Sequence, residues 1–241
     1  MSIWGATVIT NFVSTIPYLG QDLLIFIWGN FCVNNALLNR FFSLHYLLPF
    51  IILALVLIHL MNLHENGSSN PLGISSNTDK IYFHPYFTFK DFYTFIILLL
   101  FYSILIFYFP NFLAHPDNYI PANALVTPLS IVPEFYFLAP YAILRIIPSK
   151  ILGLLALVLS LLILFILPLQ SSYALRSNSL KGYAKFFFWI FIGSYFVLIV
   201  TGALPISNEV ITLASIAAFY YFFYFIVIIP VLNFLDSCVS I

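Results

Sequence analysis

Residues 41–64 read FFSLHYLLPFIILALVLIHLMNLH, twenty-four residues without a single Asp, Glu, Lys or Arg. A helix needs about 20 apolar residues to cross a hydrocarbon core roughly 30 Å thick, so this stretch is long enough to span a bilayer. Four more charge-free stretches follow, at Phe92–Pro116, Ile151–Leu175, Phe186–Asn208 and Val210–Leu235. Pro49, Pro168 and Pro230 fall in or near the ends of these runs, which membrane helices tolerate because neighbouring helices re-satisfy the freed carbonyl. The composition agrees. Of 241 residues 63% are hydrophobic and 7% charged, where a soluble domain carries about a quarter, and the mean hydropathy is +1.06. A soluble surface cannot be built from so few charges. The sequence therefore predicts an all-α, polytopic transmembrane bundle of five spans with short interfacial helices.

Residues 1–40 are apolar but broken by Gly5, Asn11, Pro17, Gly20, Asp22, Gly29 and Asn30, which predicts short helices in the interface. No basic residue precedes Arg40, so no targeting peptide is expected there. Glu65–Lys90 is polar, Ser171–Lys185 is short and basic, and the turn at Pro205–Glu209 is very short. Asn111–Lys150 carries six prolines, and connections of that length are usually functional. The chain divides into 1–40, a histidine-bearing span with its loop and the next span at 41–110, a long loop at 111–150, and three C-terminal spans at 151–241. Five spans place Lys80, Lys90, Arg176, Lys181 and Lys185 on one side and Arg40, Arg145 and Lys150 on the other; the basic excess marks the first side as cytoplasmic or matrix. Zero net charge excludes nucleic-acid attraction as a theme, and Cys32 and Cys238 match no metal or redox spacing.

His45 and His59 lie in the first span. Ionisable residues within a membrane are costly to bury and point to function. Fourteen residues apart, they stand about 21 Å apart along a helix and within about 40° of one face. Imidazole suits haem iron, and two ligands at two depths suit two haems; the competing reading is two histidines bonded to neighbouring helices. One face supplies one axial ligand per haem. His64 points about 140° away from His59, and His84 and His115 precede prolines, which marks them as loop residues. Two six-coordinate haems would thus need a partner chain with a matching histidine pair.

Two further clusters carry chemistry. Glu134 follows Pro133 and precedes Phe135, Tyr136, Phe137 and Tyr141, an acid in an aromatic wall suited to taking a proton from a phenolic ligand. The alternative is an acid stabilised by the dipole of a short helix. His64, Ser68, Lys90 and Asp91 flank one loop, where a His and an acid can relay protons to a ligand, or simply form a solvated loop edge.

Ser2-Ile-Trp-Gly-Ala-Thr-Val-Ile-Thr-Asn11, Arg40-Phe-Phe-Ser-Leu-His45, His64-Glu-Asn-Gly-Ser-Ser-Asn-Pro-Leu-Gly73, Phe83-His-Pro-Tyr86, Pro116-Asp-Asn118, Pro133-Glu-Phe-Tyr136 and Tyr141-Ala-Ile-Leu-Arg145 together resemble mitochondrial cytochrome b, in order and spacing, from Met1 to about Phe234. The resemblance implies the central subunit of the cytochrome bc complex (respiratory complex III, ubiquinol–cytochrome c oxidoreductase) in the mitochondrial inner membrane. It implies two haems b, with His45 on the low-potential and His59 on the high-potential group. It assigns Glu134 as the proton-accepting acid of a quinol-oxidation site with Gly5, Ile9, Pro133, Phe137 and Tyr141. His64, Ser68 and Asp91, with Lys90 beside them, match the quinone-reduction site. The implied partners are the Rieske iron–sulfur protein, cytochrome c1 and the other subunits of a dimeric complex.

Three departures stand out. The family's first helices, which carry the other two haem histidines, have no counterpart, so the chain resembles the C-terminal part of a split cytochrome b that shares its haems with an N-terminal fragment. The Trp usual after the Pro-Glu pair is Phe135, which loses an indole N–H and keeps an aromatic plane. Pro140 lies in the short helix after Glu134 and is expected to bend it. The related photosynthetic complex divides this subunit after the histidine helix, whereas here that helix and the Pro-Glu motif share one chain. The other classes weighed are a haem-free channel or transporter, which no inverted repeat supports, and an inactive structural remnant, which both retained histidines argue against.

Overall fold

The computed structural model describes residues 1–128, 131–170, 177 and 181–239. Among these there is no strand, and five helical stretches are long and apolar enough to cross a bilayer: Asn35–Asn66, Tyr86–Tyr108, Lys150–Gln170, Gly182–Ala203 and Asn208–Cys238. They coincide with the five expected spans. Their ends differ because a search for charge-free runs finds only the part that lipid demands. The second begins six residues before Phe92, taking in Lys90 and Asp91, and it stops at Tyr108 because Phe109 precedes Pro110 and leaves the helical region (φ −131°, ψ 50°). Arg176, counted in the expected charge bias, lies outside the described residues.

Two short helices open the fold, as expected for residues 1–40: α1 (Ser2–Asn11) and α2 (Gly20–Trp28). A single 3-10 turn, Phe12–Thr15, folds α2 back on α1. Trp28 Nε1 donates to Thr10 Oγ1 (2.7 Å), and Trp4, 2% exposed, donates Nε1 to the Asn123 carbonyl (3.1 Å). Each indole thus fills space while satisfying its one donor. The turn allows no side chain at Gly20, where a Cβ would lie 2.6 Å from the Val13 carbonyl oxygen.

The long helix α3 (Asn35–Asn66) starts at Asn34, whose side chain accepts from Ala36 N (2.9 Å). Arg40, one turn in, donates to the Phe26 and Ile27 carbonyls (3.1 Å each) and so caps the C-terminus of α2. Helix α4 (Tyr86–Tyr108) follows the polar loop. Among the described residues, apart from α2 against the start of α3, neither helix packs closely on another element, and their apolar side chains stand open over nearly the whole length.

The remaining helices form a packed body. Helix α5 (Phe135–Ile146) is clasped by α6 (Lys150–Leu162, continued as 3-10 turns to Gln170) and α7 (Gly182–Ala203), with α8 (Asn208–Phe223) against α5 and α7. Ala139, Ala142, Ile143, Leu198, Ala217 and Tyr221 fill its core. Small residues set the approach. A Cβ at Gly202 would overlap the Leu138 carbonyl and come within 2.9 Å of its carbon, so α5 and α7 touch backbone to backbone. Pro140 sits inside α5 without ending it. Before Pro230, α8 widens into a π turn, Tyr224–Ile228, and continues as α9 (Ile229–Val239). Gln170 Nε2 donates to the Phe225 carbonyl in that turn (2.9 Å), and Asn233 Nδ2 returns a bond to the Gln170 carbonyl (2.7 Å). The foot of this body is closed by the ion pair of Lys181 with Asp236.

Candidate functional site

His45 and His59 both lie on α3, and no hydrogen bond holds either imidazole within the described structure. The helix is 32 residues long, about 48 Å at 1.5 Å per residue, so its ends project beyond a roughly 30 Å hydrocarbon core. Measured from the helix centre, His45 stands about 8 Å to one side, His59 about 13 Å to the other and His64 about 20 Å. Pro49 has no N–H for the His45 carbonyl one turn back. Around the two imidazoles α3 presents exposed Phe, Leu, Ile and Val side chains. Ring nitrogens with no hydrogen-bond partner among the described residues, on an open apolar helix face, are a donor set that would suit an apolar iron porphyrin.

Glu134 is the N-cap of α5, with extended backbone (φ −60°, ψ 157°), and its carbonyl accepts from Phe137 N (2.9 Å). Its carboxylate makes no cap bond and is exposed. Its place at the start of α5 agrees with stabilisation by the helix dipole, and its carboxylate oxygens have no hydrogen-bond partner among the described residues. Phe135, Tyr136 and Phe137 form an exposed aromatic run, with edge-on and tilted ring contacts 5.4 and 5.1 Å between centroids. One turn on, the half-buried Tyr141 lies under Arg145. Pro133 is half-buried.

Gly5 and Ile9 share α1. Ile9 is exposed, and a Cβ built on Gly5 would meet no atom within 4 Å. Helix α1 does not pack on α5. The two are joined through α6, which touches the 3-10 turn after α1 and packs on α5. Trp4 fixes α1 to the loop that leads to Pro133, through Asn123. His115, expected in a loop, begins the 3-10 turn Pro116–Tyr119 there, its Nδ1 accepting from Asp117 N.

At the far end of α3, His64 lies in the last helical turn and Ser68 in the loop after it, while Lys90 and Asp91 lie in the first turns of α4. All four are exposed, and no hydrogen bond or ion pair joins them. Ser68 instead lines an open polar crevice of about 710 Å³ with Asn66, Gly67, Asn70, Asn77 and Lys80. Sequence reasoning placed Lys80 only in the charge count. Arg145 entered only that count and the Tyr141–Arg145 motif, and its carbonyl partners, Gly202 and Leu204, lie 57 and 59 residues further along the chain.

Two family models match the chain. One described as "Cytochrome b(N-terminal)/b6/petB" covers residues 1–116 and one described as "Cytochrome b(C-terminal)/b6/petD" covers residues 121–222. Cytochrome b of Mycosarcoma maydis is 52% identical over 237 residues, covering 98% of this chain and 60% of that protein. Cytochrome b of Spizellomyces punctatus is 55% identical over 217 residues (90% and 55%), and that of Saccharomyces cerevisiae 49% identical over 237 residues (98% and 62%). The chain thus spans a little over half the length of the curated relatives it matches. A solved structure titled "Hyperthermophilic respiratory Complex III" superposes with a TM-score of 0.89 at 32% identity, covering 98% of this chain and 64% of that one.

Proposed function

Because this chain belongs to the cytochrome b family, we propose that it supplies the quinol-oxidising and quinone-reducing sites of a cytochrome bc complex in the mitochondrial inner membrane. The observation that carries this reading is the pair of unpartnered imidazoles at two depths on one apolar face of α3. His45 would hold the low-potential and His59 the high-potential haem b, each through one ring nitrogen. Haem b, when bound, supplies reversible one-electron transfer at each level. A companion segment bearing a matching histidine pair, the N-terminal fragment of a split cytochrome b, would help hold both groups. The open faces of α3 and α4 give such a segment somewhere to pack.

Around quinol, this chain's residues bind, orient and accept protons. The aromatic run Phe135–Phe137 with Pro133 and Tyr141 gives a flat apolar wall for a quinol ring, and Gly5 and Ile9 on α1 give the opposite side. Phe135 contributes its plane but no indole donor. Glu134, with its carboxylate uncommitted, takes the proton from the quinol hydroxyl and carries it outward. At the other surface His64 and Asp91, with Ser68 and Lys90, bind quinone and deliver protons from the matrix. Of the two electrons quinol gives up, one would go to the Rieske iron–sulfur protein and on to cytochrome c1, and the other to the haem groups that His45 and His59 would hold, within a dimeric complex.

The test is Glu134→Gln in the native complex, which keeps size and hydrogen bonding but cannot take a proton. Quinol–cytochrome c turnover should fall by about a hundredfold or more while haem absorbance stays normal. Unchanged turnover would remove Glu134 from the mechanism.

A further inference from the structure

We propose that Arg145 is a positioning residue for quinol oxidation: it clamps the ring of Tyr141 against the C-terminus of α7, so that the α7–α8 turn sets the wall of the site. This inference rests on the reading that places Tyr141 in the quinol-oxidation site. Arg145 Nη1 donates to the Gly202 carbonyl and Nη2 to the Leu204 carbonyl, both at 2.9 Å. These two carbonyls belong to the last turn and the cap of α7, where no helical N–H remains to pair with them. A cation at that end also complements the helix dipole. The guanidinium is thus fixed by two bonds from its planar fork, and its central carbon stands 5.2 Å from the centroid of the Tyr141 ring. Tyr141 and Arg145 are four residues apart on α5, so both face the same neighbour.

The clamp is stiff because the helices are in backbone contact. Gly202, whose carbonyl takes one of the bonds, is also the residue that lets α7 reach the Leu138 carbonyl one turn before Tyr141. Ala142 and Thr201 are buried nearby, and with Arg145, Ile146, Ile206 and residues of α8 they line a small cavity. Tyr141 is therefore held from one side by a charge that two hydrogen bonds keep in place. A lysine keeps the charge but lacks the planar fork that donates two bonds in a fixed geometry beside a ring, so it should hold Tyr141 less well than arginine.

The experiment compares Arg145→Lys, Arg145→Gln, Tyr141→Leu and the Arg145→Gln/Tyr141→Leu double variant in the purified native complex. Each is measured for haem absorbance, quinol KM and kcat. Arg145→Gln keeps one donor for α7 but removes the charge over the ring. The expected result is a KM raised about three- to tenfold in Arg145→Gln and less in Arg145→Lys, with haem content unchanged. In the double variant KM should be no higher than in Tyr141→Leu alone, because both changes release the same ring. If Tyr141→Leu raises KM but Arg145→Gln does not, or the two effects simply multiply, the clamp is refuted and the quinol-site reading survives. If both Arg145 variants lose haem while Tyr141→Leu keeps it, Arg145 serves assembly and not positioning, which also overturns the inference. A normal KM in Tyr141→Leu would instead refute the placement of Tyr141, and the inference would fall with it.

Discussion

Alanine at Gly202 and alanine at Gly193 make the same chemical change on one helix and should have opposite consequences. Both glycines lie in α7. At Gly193 a Cβ meets nothing within 4 Å, so the substitution only removes the backbone freedom of glycine and should stabilise a helix by up to about 1 kcal/mol. At Gly202 the same atom would overlap the Leu138 carbonyl oxygen and lie 2.9 and 3.2 Å from the Leu138 carbonyl carbon and Cα. Those are backbone atoms inside α5, so no rotamer change can relieve the contact. Helix α7 must retreat by roughly an ångström, and overpacking of this kind costs about 1–3 kcal/mol. The same retreat would stretch both 2.9 Å bonds from Arg145 towards 3.9 Å, outside hydrogen-bonding distance. Each bond from a charged donor contributes about 1.5–3 kcal/mol, roughly halved here because the guanidinium is partly solvated, so the total for Gly202→Ala is about 2.5–6 kcal/mol. The assay is thermal unfolding of the detergent-solubilised complex, monitored by loss of native absorbance. Gly202→Ala should melt several degrees below the wild type and Gly193→Ala at or above it. Equal melting of the two variants would refute the backbone contact between α5 and α7.

Three smaller expectations follow from single contacts. Gly5→Ala should assemble with normal haem content, since its methyl meets no atom of this chain, yet raise quinol KM if α1 borders the ligand; an unchanged KM would take α1 out of the site. Arg40→Met should leave the Phe26 and Ile27 carbonyls uncapped at a cost of about 1 kcal/mol, speeding amide exchange around Gly29–Asn34 roughly fivefold, and unaltered exchange would show that the cap holds nothing. Tyr221→Phe removes a buried 2.7 Å bond to the Ser160 carbonyl and should lower stability by about 0.5–1.5 kcal/mol in the same thermal assay, against no change if the hydroxyl is idle.

The spans were legible in the sequence because lipid imposes one requirement, an apolar run of fixed length, and residues 41–64 meet it without help from the rest of the chain. Their ends were not, because nothing forbids a helix from continuing into water: Lys90 and Asp91 ride on α4, and α3 begins six residues before its charge-free run. The imidazoles of His45 and His59 were found by helical spacing alone, which needs no tertiary information. Glu134 was found by its neighbours in the chain, and its role as an N-cap without a side-chain bond emerged only with backbone angles. Arg145 was read only as a charge and as the end of a motif, because its partners are carbonyls, which carry no residue-type signal, brought in from α7. The π turn before Pro230 and its bond from Gln170 were hidden for the same reason. Of the expected quinone-reduction cluster, the sequence supplied the neighbourhood, two helix ends and a loop. Helices without packed neighbours do not fix how those four side chains meet.

The central claim is that α3 carries one ligand for each of two haems and that a companion segment carries the others. A dithionite-reduced difference spectrum of the purified native complex, with every polypeptide identified by mass spectrometry, tests it most directly. The account expects two distinguishable b-type haems and a second hydrophobic polypeptide bearing a histidine pair of matching spacing. A complex without haem, or with both haems but no second histidine pair in any of its polypeptides, would contradict it.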